Sequence, residues 1–555
     1  MKKVKKIFSA FREKLTIKSA RLILLISFYF TFVLNLSFWR YIWVHLPVTN
    51  LKLGLFAFTF VCIIFILYHL IFSLLFIPKI GKPMTAFFLV VSASTNYLMW
   101  KYGLYIDVVM VRNLFETTAR EASDFFTLSG IFWVVLMGIV PAVLLLMTKV
   151  IYDAPKKEIR RRLVIGAVSI VLVVAFLGIS FKQYASFGRN NRQIRQLLNS
   201  VNYTYSTIKY IKAKCTANRI FKKLDENARL APYEDPYKTV VILVVGEAAR
   251  AKNFSLNGYH RKTNPRLEKE DIIYYANVTS CGTSTAVSIP CMFSHLDRKD
   301  VDADDVKYMD NLMDIIQRGG YEVIWLENDD GCKGACNRVP TEHMLYLKDP
   351  KYCGEGFCRD DIMIDGLEER LKKIKRNTVI VLHTMGSHGP AYYQRYTDAY
   401  RVFEPTCDTA DIQSCSKESI QNTYDNTILY TDHIIASVID ILKKFPNFES
   451  GMMYLSDHGE SLGEGGIYLH GLPYAIAPDE QTDIPMIVWM SENMKKYDYL
   501  DYDCLKKQAA ENAYSHDNFF HSMIGWLEIK SELYKKDKDI FSTCRTKEPP
   551  AEKEE

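Results

Sequence analysis

The sequence predicts two parts: five transmembrane α-helices, then a doubly wound α/β sheet covered on both faces and exported across the membrane. Three observations predict this. Long apolar runs dominate up to about residue 182, strand-like and helix-like stretches alternate from about residue 236, and ten of the twelve cysteines lie between Cys281 and Cys544. The chain has 555 residues, with 69 Lys plus Arg against 63 Asp plus Glu and a net charge of +6. That balance is too even to suggest a nucleic-acid binder from charge alone. With 49% hydrophobic and 24% charged residues, a disordered chain is excluded.

A helix that crosses the hydrocarbon core needs about 20 mostly apolar residues. Five runs qualify, at about 21–44, 53–77, 84–106, 128–149 and 163–182. Prolines or charges bound them, among them Pro47, Pro78, Pro83 and the pair Lys156-Lys157. The first run is too long for a signal peptide, no small-residue cleavage site follows it, and further spans come directly after. Basic residues set the orientation. Lys2, Lys3, Lys5, Lys6, Arg12, Lys14 and Lys18 precede the first run, Lys79 and Lys82 lie in the second loop, and Lys149 to Arg162 in the fourth. Five spans with a cytoplasmic N-terminus put everything after Phe181 outside. The expected domains are a transmembrane domain at 1–182, a basic linker at 183–235, an outer domain at 236–546 and a disordered tail at 547–555. The linker's Lys and Arg, interleaved with Tyr and Ile, suit an interfacial helix on anionic headgroups or a solvated helix.

In the outer half, Thr239–Val245, Tyr321–Leu326, Thr378–Leu382, Met452–Leu455 and Pro485–Trp489 read as buried strands. Helical stretches at about 308–318, 360–375, 418–445 and 516–527 separate them. Sheets of this kind carry ligand sites at the carboxyl ends of their strands. The late cysteines fall into pairs by proximity: Cys281/Cys291, Cys332/Cys336, Cys353/Cys358 and Cys407/Cys415, leaving Cys504 to Cys544. Outside the cytosol these are expected to be disulfides. Cys62 lies within a span, and Cys215 has no assigned partner.

Four strand ends carry polar clusters. They are Val245-Gly246-Glu247, the stretch Ser280 to Thr285 leading to Cys291, the stretch His383 to Pro390, and Ser456 to Glu460 with His470-Gly471 beyond. Glu247, Asp457 and His458 are oxygen and imidazole donors of the kind Zn²⁺ accepts. A Ser or Thr hydroxyl attacks at neutral pH only if something lowers its pKa, which a bound metal does. Thr285 sits at an expected helix start, where backbone N–H groups favour an anion such as phosphate. Thr283, Ser284 and Thr285 compete for this role, and spacing alone does not choose between them. His388, His470 and Lys333 are candidate donors to a transferring phosphoryl group. Asn113, Thr117 and Glu121, spaced by four, fall on one face of a helix.

The stretch Thr279-Ser280-Cys281-Gly282-Thr283-Ser284-Thr285-Ala286, continuing Ser288-Ile289-Pro290-Cys291-Met292-Phe293, closely resembles the nucleophile motif of bacterial phosphoethanolamine transferases. That family modifies lipid A and includes the polymyxin (colistin) resistance transferases. Val244 to Arg250, His383 to Pro390 and Ser456 to Glu464 match it too, as does the architecture. The resemblance implies an alkaline-phosphatase-like α/β/α catalytic domain. It makes Thr285 the catalytic nucleophile and Glu247, Thr285, Asp457 and His458 the ligands of one Zn²⁺. It places His388 and His470 near the phosphoethanolamine group or a second zinc, with Lys333 and His383 in support. The polar face of Asn113, Thr117 and Glu121 would hold the lipid headgroup. Ala248 departs from the Thr or Ser that often follows the glutamate, at a position that is not a ligand.

The resemblance thus implies a zinc-dependent phosphoethanolamine transferase, monomeric, in the bacterial inner membrane with its catalytic domain in the periplasm. Its partners would be phosphatidylethanolamine, lipid A and the membrane, with no nucleic acid. The expected reaction is ping-pong: Thr285 takes phosphoethanolamine, diacylglycerol leaves, and a lipid A phosphate accepts the group. Added cationic amines would weaken binding of polymyxin and other cationic peptides. Alternatives are a transferase with another donor or acceptor (core sugar, glucan, protein or phosphoglycerol) and an inactive membrane-anchored binding protein. A sulfatase is disfavoured because no C/S-x-P-x-R context is present.

Overall fold

The protein is described from a computed structural model covering residues 16–546, apart from 47, 118–124, 182, 185–186, 188–190, 192–193, 217–219, 232–235 and 355–356. The tail 547–555, Glu121 and parts of the basic linker lie outside the described residues. The chain divides into two compact units, one of Met1–Val111 with Phe126–Lys214 and one of Arg112–Phe125 with Cys215–Glu555.

In the first unit, helical segments overlie the five apolar runs. Ser19–Val33 and Leu36–His45 form a pair bent by 56°. Leu51–Leu75, Gly81–Tyr102, Leu128–Met147 and Pro155–Ile179 follow. The bend has a local cause. The side chain of Asn35 donates to the Phe30 carbonyl (2.6 Å) and to Tyr68 Oη (2.9 Å), while its Oδ1 accepts from the Asn199 N–H (2.9 Å). Such side-chain insertion into the ladder is a standard origin of kinks.

By length and apolarity alone, fewer than five helices qualify as spans. Three helices qualify among the described residues, Leu51–Leu75, Leu128–Met147 and Pro155–Ile179, and four if the bent pair is one span. Gly81–Tyr102 falls short because it carries Lys82, Thr85, Ser92, Ser94, Thr95, Asn96 and Lys101. Its polar groups bond inside the unit. Thr95 Oγ1 donates to Asn199 Oδ1 (2.6 Å), and Ser92 Oγ meets Tyr203 Oη at 3.1 Å. Where polar atoms find partners in the protein, a helix in lipid tolerates them. The basic cluster after Pro155 is partly internal as well. Glu158 pairs with Arg161 (2.7 Å) and Arg162 (3.0 Å).

The second unit is built on a seven-stranded sheet. In chain order its strands are β1 (Lys238–Gly246), β2 (Ile273–Tyr275), β3 (Glu322–Glu327), β4 (Thr341–His343), β5 (Thr378–His383), β6 (Phe448–Ser456) and β7 (Met486–Met490). The spatial order is β2-β7-β6-β1-β5-β3-β4. From β6 to β4 every pairing is parallel, whereas β7 runs antiparallel to both β6 and β2. Valines, Ile and Leu fill β1, whose residues from Thr239 to Gly246 are all buried. Continuous apolar runs are what a sheet covered on both faces requires. Val241, Leu243, Val245, Val379, Val381, Met453 and Leu455 face one layer, packed with Ile289, Leu312, Ile316, Phe520 and Ile524. The alternate side chains face the other way, where helix Lys417–Leu442 packs on β6. Five disulfides join Cys281–Cys291, Cys332–Cys336, Cys353–Cys358, Cys407–Cys415 and Cys504–Cys544. Cys62 and Cys215 are unpaired.

Candidate active site

Parallel register brings the candidate residues to one edge. Val245 lies opposite His383, Gly246 opposite Ser456, and Glu327 opposite His383. Glu247 follows β1 directly, and Asp457 and His458 follow β6. Thr285 is the first residue of helix Thr285–Met292, whose N-cap Ser284 has extended backbone and makes no capping bond.

The three hydroxyls that compete in the sequence go to three different places. Thr283 Oγ1 donates to the Leu472 carbonyl (2.6 Å), and Ser284 Oγ to Asn113 Oδ1 (3.2 Å). Thr285 Oγ1 donates to Glu247 Oε2 (3.0 Å) and lies 3.5 Å from His458 Nε2. His458 Nε2 in turn lies 3.4 Å from Glu247 Oε1 and 3.3 Å from Asp457 Oδ2. Glu247, Asp457 and His458 are fully buried.

Burial pushes each of these groups toward its neutral form. The Glu247 carboxyl is raised well above the usual range by burial and by the neighbouring Asp457 charge. Burial also lifts Asp457 to about 6. The His458 imidazole is held well below its ordinary value by burial and by His470. Clustering two carboxylates in a dry site is unfavourable unless a cation joins them. Two atoms identify where it would bind: Glu247 Oε1 and Asp457 Oδ2 are buried without hydrogen-bond partners. His458 Nδ1 faces the Gly459 carbonyl at 2.9 Å, an acceptor that fixes the proton on that nitrogen and turns the Nε2 lone pair inward. Donor atoms of Glu247, His458 and His470 all lie within 4.8 Å of one another. The residues therefore fit a Zn²⁺ ion.

Around this centre, Thr285, Lys333, His388, His470, Asn113 and Thr117 line one cleft, together with Ser284, Glu116 and Asp330. Lys333 sits at a positive φ of 47° and donates to the Asp330 carbonyl (2.9 Å). The His388 and His470 rings are 5.6 Å apart, and the His458 and His470 rings 4.3 Å. His383 does not line the cleft. It is buried, with Nδ1 against Glu327 at 2.9 Å; burial lowers its pKa, but the Glu327 charge carries it up to about 9. Thr117 donates through Oγ1 to the Asn113 carbonyl (2.6 Å). Ala248 is buried at a positive φ of 54°, and its N–H donates to Asp457 Oδ1 (3.2 Å).

Several supports escaped the sequence. Glu460 accepts from Tyr392 Oη and, through its other oxygen, from His470 Nδ1 (2.7 Å). Gln481 is fully buried and donates to the Leu469 carbonyl (3.0 Å) and to Ser461 Oγ (3.0 Å), while its Oε1 accepts from the Leu472 N–H (3.2 Å). It brackets His470, beside Leu469 at φ 65°. Asp360 accepts from the Met385 and Gly386 N–H groups (2.8 and 2.9 Å) and so ties down the loop carrying His388. That loop crosses Glu247 at Gly386, where φ is 48° and a Cβ would lie 2.7 Å from the Glu247 carbonyl oxygen. Only glycine serves there. For Glu460 the sequence held a hint, because it closes the Ser456 to Glu460 cluster. Gln481 and Asp360 carry no local signal.

Known proteins resemble this chain in sequence and fold. The family described as Sulfatase matches residues 239–529, and the family described as Phosphoethanolamine transferase EptA/EptB matches residues 64–215. Phosphoethanolamine transferase EptA of Escherichia coli strain K12 is 40% identical over 94% of this chain and 96% of its own. Phosphatidylethanolamine transferase Mcr-1 of Escherichia coli is 33% identical over 93% of this chain and 96% of its own. The solved structure of the integral membrane protein lipooligosaccharide phosphoethanolamine transferase A (EptA) from Neisseria meningitidis is 41% identical. It superposes with a TM-score of 0.93 over 96% of this chain and 99% of that one. With likeness of this degree spanning both units, and a buried carboxylate–imidazole–hydroxyl centre at the strand ends, the chain belongs to the phosphoethanolamine transferase family.

Proposed function

We propose that this protein moves phosphoethanolamine from phosphatidylethanolamine to a phosphate of lipid A, with Thr285 as the covalent carrier. The observation that carries the reading is the hydroxyl of Thr285, 3.0 Å from Glu247 and 3.5 Å from His458 at the floor of the cleft. In the first half-reaction Thr285 Oγ1 bonds to phosphorus and the phosphorus–glycerol oxygen bond breaks. Diacylglycerol leaves, and its oxygen takes up a proton. In the second, a lipid A phosphate oxygen attacks the same phosphorus and Thr285 regains its hydroxyl.

Glu247, Thr285, Asp457 and His458 would hold one Zn²⁺, which when bound supplies Lewis-acid stabilisation of charge at the hydroxyl oxygen. The chain's own groups do the rest. Glu247 Oε2 accepts the hydroxyl proton of Thr285 in the resting arrangement. Lys333, His388 and His470 face the cleft from other loops and donate to the phosphoryl oxygens. Asn113 and Thr117, with Glu121, hold the amine end of the donor. Glu460 and Gln481 keep His470 directed at the site.

In this reading five segments cross the inner membrane, the bent pair and Gly81–Tyr102 included. The N-terminus is cytoplasmic and residues 236–546 form a periplasmic catalytic domain of a monomer. The product carries extra cationic amines and confers resistance to polymyxin and cationic peptides. Mass spectrometry of lipid A from producing cells tests it. Thr285→Ala should abolish the phosphoethanolamine adduct. Normal adduct levels in that variant would refute the assignment.

A further inference from the structure

The segment Arg112–Phe125 belongs by its contacts to the catalytic unit, although it leaves the chain between two apolar helices. Two ion pairs on that segment, four residues apart, reach the same short stretch of the catalytic unit. Arg112 Nη2 lies 2.8 Å from Asp304 Oδ2, and Glu116 takes the Lys307 ammonium through both oxygens, at 2.9 and 3.0 Å. Residues four apart share a helix face, and Lys307 lies in the turn Val306–Tyr308 with Asp304 two residues before it, so the two pairs close together. Neither is a loose surface pair. The side chains are 11% and 16% exposed in the first pair and 19% and 22% in the second. The stem of Lys307 also packs on Gly334, beside Lys333, where a Cβ would lie 3.2 Å from Lys307 Cγ.

We infer that Arg112–Asp304 and Glu116–Lys307 are a two-point clamp that holds the donor-headgroup segment against the nucleophile loop, making Asp304 and Lys307 positioning residues for the donor. The clamp brackets Asn113, whose Oδ1 accepts from Ser284 Oγ one residue before Thr285. It also brings Glu116 and Thr117 to the cleft wall shared with Lys333. The opposed signs give register as well as attachment, since a slip of one turn would set Glu116 beside Asp304. No group of the clamp touches phosphorus, so the clamp acts on donor binding rather than on the chemical step.

The role in donor binding rests on the function proposed above; the attachment itself does not. Charge reversal tests both in the full-length protein. Lys307→Glu should raise KM for phosphatidylethanolamine about tenfold with kcat within about twofold. It should also speed hydrogen exchange of the amides at 112–117. Lys307→Met, which keeps the stem over Gly334, should fall between. Glu116→Lys with Lys307→Glu should restore both readouts, because the pair is rebuilt in reverse. Unchanged exchange in the single variants, or a double variant as impaired as either single, overturns the clamp. Wild-type protein that transfers nothing to lipid A would instead sink the functional reading, and the exchange data would still decide the clamp.

Discussion

His516 shows how one residue couples the site to acid. Its Nδ1 accepts from the Cys281 N–H (3.0 Å), and its Nε2 faces the Ser456 carbonyl (3.0 Å), so a neutral ring joins the loop before Thr285 to the end of β6. Burial lowers its pKa from 6.5 to about 4. The unfolded chain therefore binds this proton first as pH falls, and stability present above 6.5 is lost between 6.5 and about 4. At full titration the loss amounts to about 3 kcal/mol. The melting transition of the catalytic unit, followed in the intact protein over that interval, should drop with acid, and His516→Gln should flatten the drop. An unchanged slope in the variant would contradict this.

The same scale explains what could be read from the chain. Glu247, Thr285, Asp457 and His458 were legible as neighbours because Glu247 and the pair Asp457-His458 follow apolar strands, Thr285 opens a helix, and strand ends in such sheets converge. Gln481 and Asp360 were not. Their roles exist only through contacts made in the fold, and glutamine or aspartate in a loop has no distinctive spacing.

Among elements, the central strands were legible because they are buried on both faces and carry runs of apolar residues, unbroken Val, Ile and Leu in β1. β2 and β4 were missed, being three residues each at the sheet edges, too short for any periodicity. β6 begins earlier than its apolar run suggests, at Phe448, because Glu449, Ser450 and Gly451 hide it. Gly451 is there for packing: a Cβ would lie 2.4 Å from the Trp526 ring.

Cysteine proximity gave four of the disulfides and left the fifth, Cys504–Cys544, to the remaining two cysteines; loop length ranks their effect. Cys504–Cys544 joins residues 40 apart, Cys332–Cys336 residues 4 apart. Chain-entropy arguments assign about 4 kcal/mol to the longer loop and about 2 kcal/mol to the shorter. Denaturant unfolding of Cys504→Ser/Cys544→Ser should therefore show the greater loss. Equal losses, or a reversed order, would show that the bridges act through native packing rather than through the unfolded chain.

For the whole molecule, hydropathy alone separated an apolar helical unit from the α/β unit, but one of the runs it marked is too polar to qualify as a span by composition. That run is Gly81–Tyr102, whose polar side chains are matched by Asn199 and Tyr203 from beyond the last apolar helix. A window average cannot register partners more than a hundred residues away. Likewise Asn113 and Thr117 reach the cleft from the segment between two apolar helices, so the cleft draws on sequence far from the α/β strands. The cycle proposed for the molecule has two halves, and its central claim is that Thr285 carries the group between them. The direct measurement supplies purified wild-type protein with phosphatidylethanolamine and no acceptor, quenches in acid, and maps the peptide containing Thr283, Ser284 and Thr285 by tandem mass spectrometry. The account predicts phosphoethanolamine on Thr285, with release of diacylglycerol in equal amount. Diacylglycerol release with the group on Thr283, on Ser284 or on no residue of the protein would contradict it.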